Sequence, residues 1–124
     1  MASQVRGSAV VTAVIVIGLC MALHGGIAHA KTFIVGDDAG WTFNVEDWTK
    51  GKTFAADDTL VFKYNKDLHN VVLVDENGYK TCTASGKEFP PGNNEIKLAR
   101  GQYYFICGVP GHCDRGQKIA VTAN

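Results

Sequence analysis

Tyr103-Tyr104-Phe105-Ile106-Cys107-Gly108-Val109-Pro110-Gly111-His112-Cys113-Asp114-Arg115-Gly116-Gln117 is the stretch on which the rest of the chain is organised. It opens with aromatic and β-branched residues that favour a pleated, half-buried surface. It breaks at Gly108, Pro110 and Gly111, strong turn signals. A strand pattern resumes at Lys118 and runs to Thr122. The reading is a tight loop between two strands, carrying a thiol where it begins, an imidazole midway and an amide where it ends.

Working outward, short strands dominate. Thr32–Val35, Thr59–Tyr64, His69–Val74, Glu95–Leu98, Gln102–Ile106 and Lys118–Thr122 read as β-rich or alternating runs. Gly36-Asp37-Asp38, Asn65-Lys66-Asp67, Asp75-Glu76-Asn77-Gly78 and Pro90-Pro91-Gly92-Asn93-Asn94 read as turns or loops. The segment from Val45 to Gly51 is loop or a short helix. Tyr79 to Lys87 has weak periodicity, and no helix of useful length shows a 3.6 period. Six or seven short strands predict an all-β Greek-key sandwich or partly open barrel. Trp41, Phe43, Trp48, Phe62, Tyr64 and Phe105 are expected in its core. Tyr103 and Tyr104 are adjacent, so one should face in and one out.

The first thirty residues read as a secretory signal peptide, with Arg6, an apolar run from Ala9 to Leu23, and Ala28-His29-Ala30 as cleavage site. The apolar run is shorter than the roughly 20 residues of a spanning helix, which argues against a retained anchor. Subtracting the thirty from 124 leaves 94 residues, 31–124, room for one small domain. The leader removes one base and no acid, so 12 basic against 12 acidic residues become 11 against 12, a net charge of −1. Neither sign dominates, and nothing argues for nucleic acid or an anionic membrane. With no Pro/Ser-rich stalk or hydrophobic tail, a glycolipid anchor is not expected either. A secreted monomer in the extracellular space or cell wall is the expectation.

Cys82, Cys107 and Cys113 remain after the leader, an odd number for a secreted chain. One bridge and one thiol with another task follow, and three pairings are open. The remaining histidines are His69 and His112. Two imidazoles, a thiolate at Cys107 and a weak axial ligand such as Gln117 form the set used in blue-copper electron-transfer sites. A Cys₂His₂ zinc site of His69, Cys107, His112 and Cys113 is the competing metal reading. It lacks the paired C-x₂₋₄-C and H-x₃₋₅-H spacings of structural zinc. On an extended segment His112 and Cys113 would also face apart. Asp37-Asp38 and Asp57-Asp58 sit in turns, where Asp serves backbone hydrogen bonding. They are not read as catalytic, and no catalytic residue is assigned.

Cys107-x₄-His112-x₄-Gln117, with His69-Asn70-Val71 upstream, resembles the phytocyanins, most closely the plantacyanin (basic blue protein) branch. Val35-Gly36-Asp37 with Gly40-Trp41, and Gly51-Lys52-Thr53-Phe54 with Asp58, are similar to further blocks of that family. The resemblance implies a cupredoxin fold and one copper ion cycling between Cu(I) and Cu(II). It implies His69, Cys107 and His112 as equatorial ligands and a Cys82–Cys113 bridge. It also implies that Asn70 ties two ligand loops together. Plantacyanins carry Met at the axial position. Gln117 is the stellacyanin-like choice and implies a lower reduction potential. The near-neutral charge also departs from a basic protein. The expected function is single-electron carriage between redox partners whose identity the sequence leaves open, not enzymatic catalysis. A non-redox wall or signalling module on the same fold, and copper buffering, are the competing functions.

Overall fold

Alternating runs build two sheets in the computed structural model, which describes residues 29–124. β1 (Thr32–Ile34), β2 (Thr59–Phe62) and β5 (Asn94–Lys97) form one sheet in the order β1-β2-β5. β3 (Val72–Val74), β4 (Lys87–Glu88), β6 (Gly101–Ile106) and β7 (Lys118–Ala123) form the other in the order β4-β3-β6-β7. The β1–β2 pair is parallel and the remaining pairs are antiparallel. The chain changes sheets between β2 and β3, β4 and β5, and β5 and β6. This is the Greek-key sandwich the turn spacing implies. The expected leader lies, except for its last two residues, outside the described residues. Among the described residues no helix is long and apolar enough to cross a membrane.

The period of two decides what lies between the sheets. Leu60 and Phe62 of β2, Phe105 of β6, and Ile119, Val121 and Ala123 of β7 point inward, with Trp41 and Leu98 among them. Trp41 meets Phe62 edge-on at 5.0 Å, and Phe62 meets Phe105 at 5.0 Å. Each large apolar side chain buried here contributes about 1.5–3 kcal/mol.

The outer face of the second sheet is covered as well. Val72, Val74, Tyr104 and Ile106 face a six-residue helix, α1 (Glu76–Thr81). Tyr103 packs on the main core. Tyr104, the outward one of the pair, lies 5.3 Å from Tyr79 of α1. Burial pushes the Tyr79 phenol up to about 12, with the carboxylates of Glu46 and Asp47 adding to the rise.

Two expectations need correction. The turn expected at Asp75–Gly78 is the start of α1: Asp75 caps it, its Oδ1 accepting from the Gly78 N–H at 2.7 Å. Six residues are too few to display a helical period, and Cys82, in the left-handed conformation at φ 54°, ends the helix. The strand expected from His69 begins only at Val72, because the backbone and side chain of Asn70 are bonded elsewhere. Of the two readings left open for Val45–Gly51, loop or short helix, the structure has the short helix, a 3-10 turn over Glu46–Thr49.

Candidate metal centre

β6 and β7 set the first two positions by register. Ile106 pairs with Lys118, and one step further the Cys107 N–H donates to the Gln117 carbonyl at 3.0 Å. Cys107 therefore continues the inward row of Tyr103 and Phe105, and Gln117 continues that of Ile119 and Val121. Both arrive at one end of the core, at 1% and 0% exposure.

The loop between them folds back on itself. The His112 N–H donates to the Val109 carbonyl at 3.1 Å, and the Gln117 N–H donates to the His112 carbonyl at 3.2 Å. This swings the His112 ring over Cys107, with Nδ1 3.6 Å from Sγ. His69 follows the turn at Lys66–Leu68, its N–H bonded to the Asn65 carbonyl at 3.1 Å. Its Nδ1 lies 3.2 Å from Nδ1 of His112. The donor atoms of His69, Cys107 and His112 all lie within 4.8 Å of one another.

Asn70 holds the two loops in this relation. Its Oδ1 accepts from the Gly108 N–H at 2.6 Å, and its carbonyl accepts from the Trp41 indole N–H at 2.8 Å. Its Nδ2 reaches Glu88 Oε1 at 3.4 Å. Cys82 and Cys113 form a disulfide, and Cys107 is the free cysteine. The bridge removes Cys113 from any Cys₂His₂ set. The reason given for His112 and Cys113 facing apart needs correction. The segment is not extended: His112 is helical, at φ −72° and ψ −45°, and leads into a 3-10 turn over Cys113–Arg115.

The donor chemistry fits a metal ion. Two nitrogens about 2.0–2.1 Å from one ion at a near-tetrahedral angle stand roughly 3.3 Å apart, close to the 3.2 Å between the two Nδ1 atoms. Gln117 adds an independent observation. Its Nε2 donates to the Trp41 carbonyl at 3.3 Å, while its buried Oε1 has no hydrogen-bond partner. An orphaned buried oxygen carries a desolvation penalty of about 1–3 kcal/mol, which a weak axial contact to an ion would offset.

Burial lowers the pKa of His69, the nearby His112 lowers it further, and the Gln117 amide pulls the other way. The lone pair needed for metal binding is thereby kept free. The folded pKa lies below the unfolded one, so the unfolded chain takes up the proton first. Metal-free stability is therefore expected to fall as pH drops through about 6.5. Urea midpoints of metal-free wild type and His69→Gln between pH 7.5 and 5 check this. The wild type should lose more, and parallel midpoints would refute it.

Phe43, expected in the core, is instead half-buried against both imidazoles. Its ring stands edge-on to His112 at 4.8 Å and to His69 at 5.5 Å. Nothing in its sequence neighbourhood distinguishes it from the core aromatics Trp41 and Phe62. Only the packing of its loop against Arg115 and Gly116 turns it to the site.

A sandwich with this donor cluster at one end belongs to the cupredoxin-like class. The family model described as a plastocyanin-like domain matches residues 41–117. Chemocyanin of Lilium longiflorum is 56% identical over 99 residues, covering 78% of this chain and 79% of the relative. Basic blue protein of Cucumis sativus is 53% identical over 93 residues, covering 73% and 97%. The solved structure of cucumber basic protein, a blue copper protein, superposes with a TM-score of 0.72 at 52% identity, covering 75% and 99%. The chain belongs to the plastocyanin-like domain family, among the phytocyanins.

Proposed function

We propose that this phytocyanin is a secreted electron carrier that binds one copper ion through His69, Cys107 and His112, with Gln117 as axial ligand. The observation that carries the reading is the convergence of one thiol and two imidazole Nδ1 atoms within 4.8 Å, from parts of the chain 38 and 43 residues apart. Copper in such a set takes up and gives back one electron between Cu(II) and Cu(I).

The residues around it supply rigidity. Cys107 is buried at a strand end, and Asn70 joins its loop to that of His69. Such bracing limits ligand movement when the charge changes. Cys107 is buried while both imidazoles are partly exposed, His112 beside exposed Pro110 and Gly111, so the histidine edges are where the site meets solvent. We assign no enzymatic role: a catalytic metal keeps a position open for substrate or water, whereas here His69, Cys107, His112 and the Gln117 oxygen would together hold the ion.

Adding Cu(II) to the purified chain beginning at Lys31, with visible absorption and EPR, is the direct test. An intense blue form with a reversible couple supports a carrier; tight Cu(I) binding without one would favour buffering. Gln117→Met should keep the colour and raise the potential. An unchanged potential would remove Gln117 from the ligand set.

Secretion is supported by the leader pattern and by a disulfide, which persists in oxidising compartments. A further detail accords with removal of the leader after Ala30. The Lys31 nitrogen, the amino terminus of the processed chain, donates to Asp58 Oδ1 at 2.8 Å, and Asp58 is 3% exposed. Its other oxygen accepts from the Ala55 N–H at 2.9 Å. Hydrogen bonds to charged groups contribute about 1.5–3 kcal/mol. Asp58→Asn should therefore destabilise the chain starting at Lys31 by roughly that amount. The same substitution should cost less in a chain that retains Ala30, where the nitrogen is an uncharged amide. Equal losses in urea unfolding would argue against processing at this bond.

A further inference from the structure

Arg115 lies in the loop between His112 and Gln117 and makes no ion pair among the described residues. Its guanidinium carbon sits 3.8 Å from the centre of the Phe43 ring. Phe43 in turn stands edge-on to both imidazoles, at interplanar angles of 76° to His112 and 81° to His69. A cation over the face of an aromatic ring, and two imidazoles edge-on to that ring, thus lie in sequence at the edge of the site.

The backbone holds this arrangement. The Asn44 N–H donates to the Arg115 carbonyl at 3.0 Å, and the Val45 N–H donates to the Gly116 carbonyl at 3.0 Å. Gly116 has φ +83°, and a Cβ there would come within 3.1 Å of Asn44 N and Cα. Only glycine lets the two loops approach so closely without strain. The loop carrying Phe43 is therefore clamped to the loop carrying Arg115 and His112.

We infer that the Arg115–Phe43 stack is a positioning and charge-setting element of the metal centre: Phe43 fixes the orientation of both imidazoles, and Arg115 favours the reduced state. This rests on the copper reading above. A fixed positive charge disfavours the state of higher positive charge, here the oxidised one. The guanidinium is 3.8 Å from the Phe43 ring centre and that centre is 4.8 Å from the His112 ring, so the charge lies within about 9 Å of the imidazole. At that distance a unit charge shifts the equilibrium by about twofold at the dielectric of bulk water and roughly twentyfold at the effective dielectric of a protein surface. The guanidinium is also held by its attraction to the ring face, so it does not sample solvent freely. Its effect would oppose the lower potential that Gln117 implies as a ligand in place of Met. The two residues together would set the working value.

The test is redox titration of the copper-loaded chain beginning at Lys31, as wild type, R115Q and R115K, at low and high salt. R115Q is expected to shift the equilibrium about two- to twentyfold toward Cu(II), about 20–80 mV at 59 mV per tenfold for one electron. R115K, which keeps the charge, should shift it less, and 1 M salt should shrink the R115Q effect. An R115Q potential equal to wild type, or an equal shift in R115K, would overturn the charge-setting role. Positioning is read separately in the metal-free chain by NMR. F43L should weaken the NOEs between the ring protons of His69 and His112, which loss of the Phe43 ring current by itself leaves unchanged, with the fold checked by β-sheet dispersion. Unchanged inter-ring NOEs would overturn it. Absence of a blue form in the wild type would instead overturn the copper reading, leaving the metal-free measurement to decide the positioning.

Discussion

Cys107→Ser is expected to abolish the blue colour of the copper-loaded protein while leaving the fold intact. The intense absorption of a blue-copper site depends on the copper–thiolate bond, and Cys107 is the free thiol among the described residues. Serine is close in volume. Its hydroxyl, about where Sγ lies 3.6 Å from His112 Nδ1, is too far for a hydrogen bond; a buried unpaired hydroxyl costs about 1–3 kcal/mol, less than the total stability of a domain of this size. Both imidazoles remain, and residual Cu(II) binding should give a weakly coloured form with ordinary EPR splitting. Visible absorption, EPR and far-UV circular dichroism of wild type and variant provide the comparison. Retention of the blue band in Cys107→Ser, with loss in Cys113→Ser, would mean that the functional thiol is the other one.

The largest stability effect is expected at the bridge. Cys82 and Cys113 are 31 residues apart. The chain-entropy model credits closure of a loop that long with roughly 3–4 kcal/mol. Domains of this size have about 5–15 kcal/mol in total, so Cys82→Ala/Cys113→Ala should remove a large share. The loss corresponds to a fall of more than about 10 °C in Tm. A second consequence follows from position. Cys113 directly follows His112, and its sulfur packs with Val72, Val74 and Ile106 on the outer face of the sheet. Losing the bridge frees the turn that presents the imidazole, so copper affinity should fall along with stability. Urea midpoints and copper titration of the double variant measure both. A midpoint within error of wild type would show that the bridge adds nothing to this fold.

Much of this was legible because it is local. Alternation in Gln102–Ile106 and Lys118–Thr122 stated the strand pair and which residues face inward. Gly108, Pro110 and Gly111 stated the loop. The thiol and imidazoles were chosen by scarcity: two histidines and three cysteines outside the leader leave few donor sets. Asp58 was read as a backbone-bonding carboxylate and is one. By contrast, α1 was invisible because its six residues hold less than two turns of pattern. It forms because Asp75 caps it and Tyr79 finds Tyr104 on a strand far away in the chain.

The inward rows, the turn chemistry and the inventory of metal-binding side chains are written into the order of residues, since they depend on residue type and on neighbours a few positions away. Tertiary structure alone decided that His69 Nδ1 comes to 3.2 Å from His112 Nδ1. It also decided that Gln117 arrives buried with a free oxygen, and that Phe43 leaves the core to face two imidazoles under Arg115. Those placements join residues dozens of positions apart. The distances between them are set by how two sheets and four loops pack, which no local pattern encodes.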